Sequence, residues 1–101
     1  MAAFFNNYEV IRKSGLFDPS FYLARYPELA QQNIDPLVHY LEEGARQGRN
    51  PHPEFDAAFY LQQCREHGEE PENPLLHFIT IGAARGFKKW PNDKSAPIVM
   101  K

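Results

Sequence analysis

Residues 17–51 read FDPSFYLARYPELAQQNIDPLVHYLEEGARQGRNP, and residues 55–91 read FDAAFYLQQCREHGEEPENPLLHFITIGAARGFKKWP. Phe17 aligns with Phe55, and the offset of 38 residues then holds without a gap as far as Gly48 and Gly86. Identical residues at one fixed offset indicate an internal repeat of a supersecondary unit, and such a repeat must be recognised before any local pattern is interpreted. We call residues 17–54 repeat 1 and residues 55–91 repeat 2.

Each repeat carries start and stop signals for two helices at equivalent places. A carboxylate or amide side chain stands where it can accept hydrogen bonds from the free amides of a first helical turn. The second helix of each repeat has proline directly after this cap, where a missing N–H costs nothing. A glycine follows the second helix, as is typical of a left-handed C-terminal position. The predicted N-caps are Asp18, Asp35, Asp56 and Asn73, and the predicted terminal glycines are Gly48 and Gly86.

We therefore predict an all-α fold of about five helices, with two tandem helix-turn-helix repeats. A capping helix over residues 4–14 precedes them, since Phe4, Tyr8 and Ile11 fall on one helical face. The predicted helices of the repeats are Pro19–Tyr26 with a short turn over Glu28–Gln32, Pro36–Gln47, a helix from the Asp56 cap to about His67, and Pro74–Arg85. Residues 92–101 form a tail or the start of a further domain, in which Ile98 to Met100 could begin a strand.

The second helices carry the clearest apolar pattern. In repeat 1 it comprises Leu37, Tyr40, Leu41 and Gly44, and in repeat 2 Leu75, Phe78, Ile79 and Gly82. A glycine inside a helix costs ~1 kcal/mol in helix propensity. Two glycines at equivalent positions therefore predict that another helix passes close by.

The composition restricts the class of protein. Hydrophobic residues make up 43% and charged residues 24% of the 101 residues, which is typical of one globular domain. The formal charge of −2 disfavours a nucleic-acid binder, which needs a basic surface. The single Cys64 cannot form an internal disulfide. No apolar run approaches the ~20 residues of a membrane span and no signal peptide is evident, so we expect a cytoplasmic protein.

Candidate chemistry is sparse. His39 and His77 are equivalent, and Glu43 lies four residues after His39, a spacing that can hold a metal on one helix face. Repeat 2 has isoleucine at the position of Glu43, so we expect no metal and assign the histidines to hydrogen bonds with a loop carbonyl of the neighbouring repeat. Cys64 with His67 is the one candidate nucleophile and base, and a packing thiol is the preferred interpretation. No phosphate loop or other cofactor motif is present, so no cofactor is expected.

Two further sets are candidate contacts for a partner or a glycan. Three aromatic residues have no aromatic counterpart in the other repeat and could stack on a sugar ring or cover the end of repeat 2. Three arginines stand beside the glycines of the second helices and could bind an anionic partner, or be ordinary solvated side chains. The aromatic residues are Tyr26, Phe87 and Trp90, and the arginines are Arg46, Arg49 and Arg85.

The order of these motifs resembles a known repeat. The motifs are Ser14-Gly15-Leu16-Phe17-Asp18-Pro19, Phe21-Tyr22-Leu23, Tyr26-Pro27, Asp35-Pro36-Leu37, His39-Tyr40 and Gly48-Arg49-Asn50-Pro51. They are similar to a tandem repeat of bacterial surface-polysaccharide proteins, found beside glycosyltransferase domains in rhamnan-synthesis-type proteins. The resemblance covers about residues 14–91 and implies no catalytic residue. Repeat 2 departs from it by lacking the Tyr-Pro and Gly-Arg-Asn-Pro motifs.

The resemblance implies a non-catalytic interaction or spacer module that positions a neighbouring glycosyltransferase domain, a partner protein or the growing glycan. The alternative function is a carbohydrate-binding module that uses the three unmatched aromatic residues. An enzyme based on Cys64 and His67 is the least favoured interpretation.

Overall fold

A computed structural model describes residues 2–93 of the chain, and the side chains of residues 4–93. The predicted strand at Ile98 to Met100 lies outside the described residues. The fold is all-α, as predicted. Its helices are α1 (Ala2–Ser14), α2 (Pro19–Arg25), a 3₁₀ helix (Pro27–Gln32), α3 (Pro36–His39) continued by a π turn (Tyr40–Gly44), α4 (Ala57–Glu66), and α5 (Pro74–His77) continued by a π turn (Phe78–Gly82).

The predicted N-caps are confirmed. Asp18 and Asp56 each accept a hydrogen bond at 3.0 Å from the amide three residues on, at the start of α2 and α4. Asp35 accepts from Leu37 N at 2.9 Å, and Asn73 accepts from Leu76 N at 3.0 Å. Because all four caps satisfy otherwise free amides, the helices begin where the sequence places them.

The predicted terminal glycines are also confirmed. Gly48 and Gly86 have φ angles of 77° and 82°. The amide after each glycine donates to the carbonyl of Gly44 or Gly82, at 3.0 and 2.9 Å, and the glycine amide donates to the carbonyl of Ala45 or Ala83. This pair of bonds is the Schellman arrangement that closes a helix.

The interior of each second helix differs from the prediction of a regular α-helix. Ala45 N donates to Tyr40 O at 2.9 Å and Ala83 N to Phe78 O at 2.8 Å. Each bond joins residues five positions apart, where a regular α-helix joins residues four apart, so each second helix contains a π turn. The apolar pattern at i, i+3 and i+4 carries no signal for such a π turn, because the buried face remains continuous through it.

Each repeat closes on itself through its backbone. Asp18 N donates to Pro51 O, and Asp56 N donates to Lys89 O, both at 2.9 Å. The donor and the acceptor of the second bond each lie 38 positions after those of the first. The end of each repeat is therefore held against its beginning in the same way. The side chain of Asn50 also accepts from Ala57 N at 2.9 Å, which links the end of repeat 1 to the first turn of α4.

Helix α1 lies across both repeats. It contacts α3 and α5 as well as the π turns that continue them. Ile11 is fully buried in the core, and the Tyr8 hydroxyl donates to Asp35 at 2.8 Å. The predicted capping helix therefore covers the second helices of both repeats, and does not merely close one end. No described helix is long and apolar enough to cross a membrane.

Candidate functional site

A tyrosine–histidine pair forms the centre of each repeat. The Tyr22 hydroxyl lies 2.8 Å from His39 Nδ1, and the Tyr60 hydroxyl lies 2.6 Å from His77 Nδ1. Both tyrosines are fully buried, and burial raises the pKa of each hydroxyl, so both stay protonated. Each bond joins the first helix of a repeat to its second helix. The histidines thus bond to a tyrosine of their own repeat, and the predicted bond to a loop carbonyl of the neighbouring repeat is wrong.

The glycine inside each second helix makes room for this tyrosine. A Cβ atom built on Gly44 would overlap the Tyr22 hydroxyl oxygen, and one built on Gly82 would overlap that of Tyr60. The two glycines are therefore explained by a close approach from the first helix, as the sequence predicts. Tyrosine, histidine and glycine form one structural group in each repeat.

In repeat 2 the histidine belongs to a longer network. His77 Nε2 lies 2.8 Å from the Glu69 carboxylate, which also accepts two bonds from Arg85 at 2.9 and 3.1 Å. A carboxylate only accepts, so Nε2 of His77 donates to Glu69, and in the neutral imidazole Nδ1 then accepts from the Tyr60 hydroxyl. Hydrogen bonds from His77 and Arg85 hold the pKa of Glu69 below its usual value. Glu69, in the loop before α5, is thus held against the second helix of repeat 2 although its side chain is 37% exposed.

Cys64 does not face His67. The Cys64 sulfur lies 3.9 Å from His77 Nδ1, while His67 Nδ1 lies 3.0 Å from the Gln63 carbonyl and its ring packs on Phe87. Cys64 is fully buried, and burial followed by the negative charge of Glu69 raises the pKa of its thiol. A buried, protonated thiol is a poor nucleophile, so the geometry favours the packing interpretation.

His39 and Glu43 have the spacing of a metal pair but a loose geometry. His39 Nε2 lies 3.9 Å from a Glu43 oxygen, and the Glu43 side chain is 57% exposed. Within residues 2–93, no group of three or more His, Cys, Asp or Glu side chains is arranged to hold a metal ion.

The three unmatched aromatic residues do not form one exposed platform. Phe87 is 5% exposed and packs on Tyr60, His67 and His77. Tyr26 packs edge-on against Tyr22 and accepts a hydrogen bond from Asn50 N. Trp90 is half-buried. Phe87 is therefore part of the core, and Tyr26 is part of the connection between the repeats.

The three arginines have different surroundings. Arg49 lies 4.4 Å above the Tyr26 ring and pairs with Glu28 at 2.9 Å, while Arg85 lies 4.5 Å above the Phe87 ring and pairs with Glu69. Arg46 is exposed and has no hydrogen bond or ion pair among the described residues. Among the three predicted arginines, Arg46 is the one whose guanidinium makes no hydrogen bond or ion pair with a residue between 2 and 93.

Arg46 lines a groove between the repeats. The groove has a volume of about 370 Å³. One wall is α1, the second is the end of the second helix of repeat 1, and the third is the loop before α5 together with α5 and its π turn. Its lining residues are Phe4, Asn7, Leu41, Ala45, Arg46, Pro71, Glu72, Asn73, Leu76, His77 and Thr80. A shallower depression of about 260 Å³ adjoins it and shares Ala45, Arg46, Pro71 and Glu72.

Sequence reasoning did not identify this groove or the tyrosine partners of the histidines. The tyrosines carried a signal, because Tyr22 and Tyr60 are separated by the same 38 positions as His39 and His77. The groove carried none, since its lining combines three segments that are far apart in the chain. Comparison of the chain with protein-family models, curated protein sequences and solved structures found no match.

Proposed function

We propose that this chain is a non-catalytic interaction or spacer module that serves a bacterial surface-polysaccharide glycosyltransferase. It would position a neighbouring transferase domain, a partner protein or the growing glycan on a rigid helical surface. The resemblance of the repeat motifs supports the link to polysaccharide synthesis. A cytoplasmic location is part of the proposal, because the buried Cys64 requires no oxidising compartment.

The observation that carries the proposal is the use of the same Tyr–His bond in both repeats. An active site that was copied by duplication would present its histidine to a substrate, but here each histidine faces a buried tyrosine hydroxyl of its own repeat. The side chains with reactive chemistry are thus engaged in joining helices. A rigid module whose outer surface is free to bind is the function that best fits this arrangement.

The experiment is to isolate the native product from the source cell with an antibody against this chain, and to measure its mass and its glycosyl-transfer activity. We expect a species several times larger than 11.7 kDa, or a stable complex, that transfers sugar from an activated donor. The isolated chain should show no transfer under the same conditions. Transfer by the isolated chain, or a native product with neither the activity nor a transferase partner, would contradict the proposal.

A further inference from the structure

The groove between the repeats has the properties of a small-ligand site. Its volume of about 370 Å³ lies within the range of ~300–1,000 Å³ that is usual for such sites. Leu41, Ala45, Leu76 and Pro71 supply an apolar lining, and the ring of Phe4 is half-buried at one edge. Polar side chains stand among them at a few places, as in sites that orient a ligand by a small number of hydrogen bonds.

Three polar side chains of the groove are unused and differ in kind, while His77, Asn73 and Thr80 are already hydrogen-bonded within the protein. Arg46, Glu72 and Asn7 have no side-chain hydrogen bond or ion pair among the described residues. A guanidinium can only donate, a carboxylate can only accept, and an amide does both. The Thr80 hydroxyl donates to the Leu76 carbonyl at 2.8 Å, which leaves its oxygen able to accept. The groove therefore offers donors and acceptors together, with one positive and one negative charge.

These properties identify a class of ligand. A strongly charged ligand would be attracted by one of the two charges and repelled by the other. A hydroxyl group both donates and accepts, so a ligand with several hydroxyls can satisfy Arg46, Glu72 and Asn7 at once. The carbon face of a sugar ring is apolar and packs against aromatic and aliphatic side chains. We propose that this groove binds one or two sugar rings of a glycan.

The proposal deepens the proposed function, because it specifies the glycan as a direct ligand and names the surface that contacts it. It also moves the predicted carbohydrate contact away from Tyr26, Phe87 and Trp90. Phe87 is buried, Tyr26 is covered by Tyr22 and Arg49, and Trp90 does not line the groove. The groove is open, and its Arg46, Glu72 and Asn7 side chains have no hydrogen-bond partner among the described residues.

The test is a two-dimensional amide NMR titration of the purified chain with D-glucose, D-mannose, D-galactose, maltose and cellobiose, each up to tens of millimolar. We expect saturable shifts at Asn7, Arg46, Glu72 and Thr80 with at least one of these sugars. Arg46→Ala should weaken that binding by about tenfold or more, because a charge-assisted hydrogen bond is lost. Arg46 is exposed, so the variant should fold normally, and its thermal melt verifies this.

The matched control is Arg12→Ala. It removes the same charge from α1, but Arg12 pairs with Glu9 and does not line the groove. Its sugar affinity should equal that of the wild type. The proposal is overturned if no sugar produces saturable shifts, if the shifts cluster at Trp90 and Tyr26, or if both arginine variants bind alike. A chain that binds no sugar but still co-purifies with a transferase would contradict only the groove, and leave the proposed function intact.

Discussion

In repeat 1, His39 Nε2 lies 3.9 Å from Glu43, which is largely exposed, whereas in repeat 2 His77 Nε2 lies 2.8 Å from Glu69, which Arg85 also holds. On the Nδ1 side the two histidines are alike, because each meets a buried tyrosine hydroxyl. The Nδ1 side of the histidine, which we call the centre of the repeat, is thus the same in both repeats. The Nε2 side, which we call the outer edge, is built differently. The shared part joins the two helices, and in repeat 2 the variable part also holds Glu69, from the loop before α5, against them.

A second difference concerns the residues around each outer edge. Tyr26 and Arg49 of repeat 1 stand where repeat 2 has Cys64 and Phe87. In repeat 1 the tyrosine packs beneath the arginine, and its hydroxyl accepts a hydrogen bond from the Asn50 amide at the connection to repeat 2. In repeat 2 the phenylalanine fills the space between Tyr60, His67 and His77, and the Gln63 side chain bonds both backbone groups of Lys88. Where repeat 2 departs from the motif, one set of packing contacts therefore replaces another.

The largest effect should follow from adding a methyl group to either central glycine. Gly44→Ala and Gly82→Ala gain ~1 kcal/mol in helix propensity but place a Cβ atom where the tyrosine hydroxyl lies. Overpacking costs about 1–3 kcal/mol, and the displaced hydroxyl leaves its histidine unpaired for another 1–3 kcal/mol. We expect each variant to lose about 2–4 kcal/mol in urea unfolding. Gly15→Ala is not a suitable control, because Gly15 has a positive φ that alanine adopts only with strain. The control is Ala84→Gly, which changes one methyl group at an exposed position. A gain in stability in either alanine variant would show that the close approach does not matter.

The tyrosine–histidine bond can be tested by removing the hydroxyl. Tyr22→Phe and Tyr60→Phe should each cost about 1–3 kcal/mol, because a buried histidine nitrogen loses its partner. Tyr40→Phe is the matched control, since Tyr40 is also fully buried but its hydroxyl makes no hydrogen bond to a histidine. It should lie within about 0.5 kcal/mol of the wild type. Equal losses in all three variants would mean that the bond to histidine contributes nothing specific.

The different outer edges predict a difference in pH dependence. His77 and Arg85 lower the pKa of Glu69 from its usual 4.5. Its carboxylate therefore stabilises the folded chain above that pH, and this contribution disappears as the pH falls through the lowered pKa. The difference in unfolding free energy between wild type and Glu69→Gln should be largest at neutral pH and shrink on acidification. Glu43→Gln is the control and should show no such trend, because Glu43 makes no hydrogen bond to His39. A constant difference for Glu69→Gln at all pH values would contradict the assignment.

The smallest effects are expected at the two arginines that cover aromatic rings. Arg49→Ala and Arg85→Ala each remove an ion pair and a cation–π contact at the surface. Such contacts contribute about 0.5–1 kcal/mol each at exposed sites, and less at high salt. We expect losses of about 1 kcal/mol, measured by urea unfolding at low and high salt. Losses as large as those of the glycine variants would place the main stabilisation at the edge and not at the centre.

Much of the fold could be predicted from local residue chemistry. Capping by Asp18 or Asn73 and termination at Gly48 depend on neighbours within a few positions, and these predictions are confirmed. The break at Pro27 and its absence in repeat 2 also follow from the local sequence, since α4 continues past the equivalent point to Glu66. The π turns could not be predicted, because they leave the spacing of buried residues unchanged.

The candidate site was less accessible to such reasoning. The sequence identified His39 and His77 as equivalent, but a helical pattern does not reveal which residue on another helix they contact. The contact of Glu69 with His77 depends on the turn at Gly68, which brings the loop back to the second helix, and a helical pattern carries no signal for it. Arg46 was predicted as a candidate contact because it stands beside Gly44. That it shares a groove with the loop before α5 could not be predicted, because the loop belongs to the other repeat.

The most direct test of the central claim is a pair of double-mutant cycles, Tyr22→Phe with Gly44→Ala in repeat 1 and Tyr60→Phe with Gly82→Ala in repeat 2. If the tyrosine hydroxyl and the glycine occupy one shared space, the phenylalanine should relieve part of the clash caused by alanine. The free energy of unfolding lost in each double variant should then be smaller than the sum of the two single losses by about 1–3 kcal/mol, in both repeats. Additive losses within about 0.5 kcal/mol, or coupling in one repeat alone, would contradict a common structural centre.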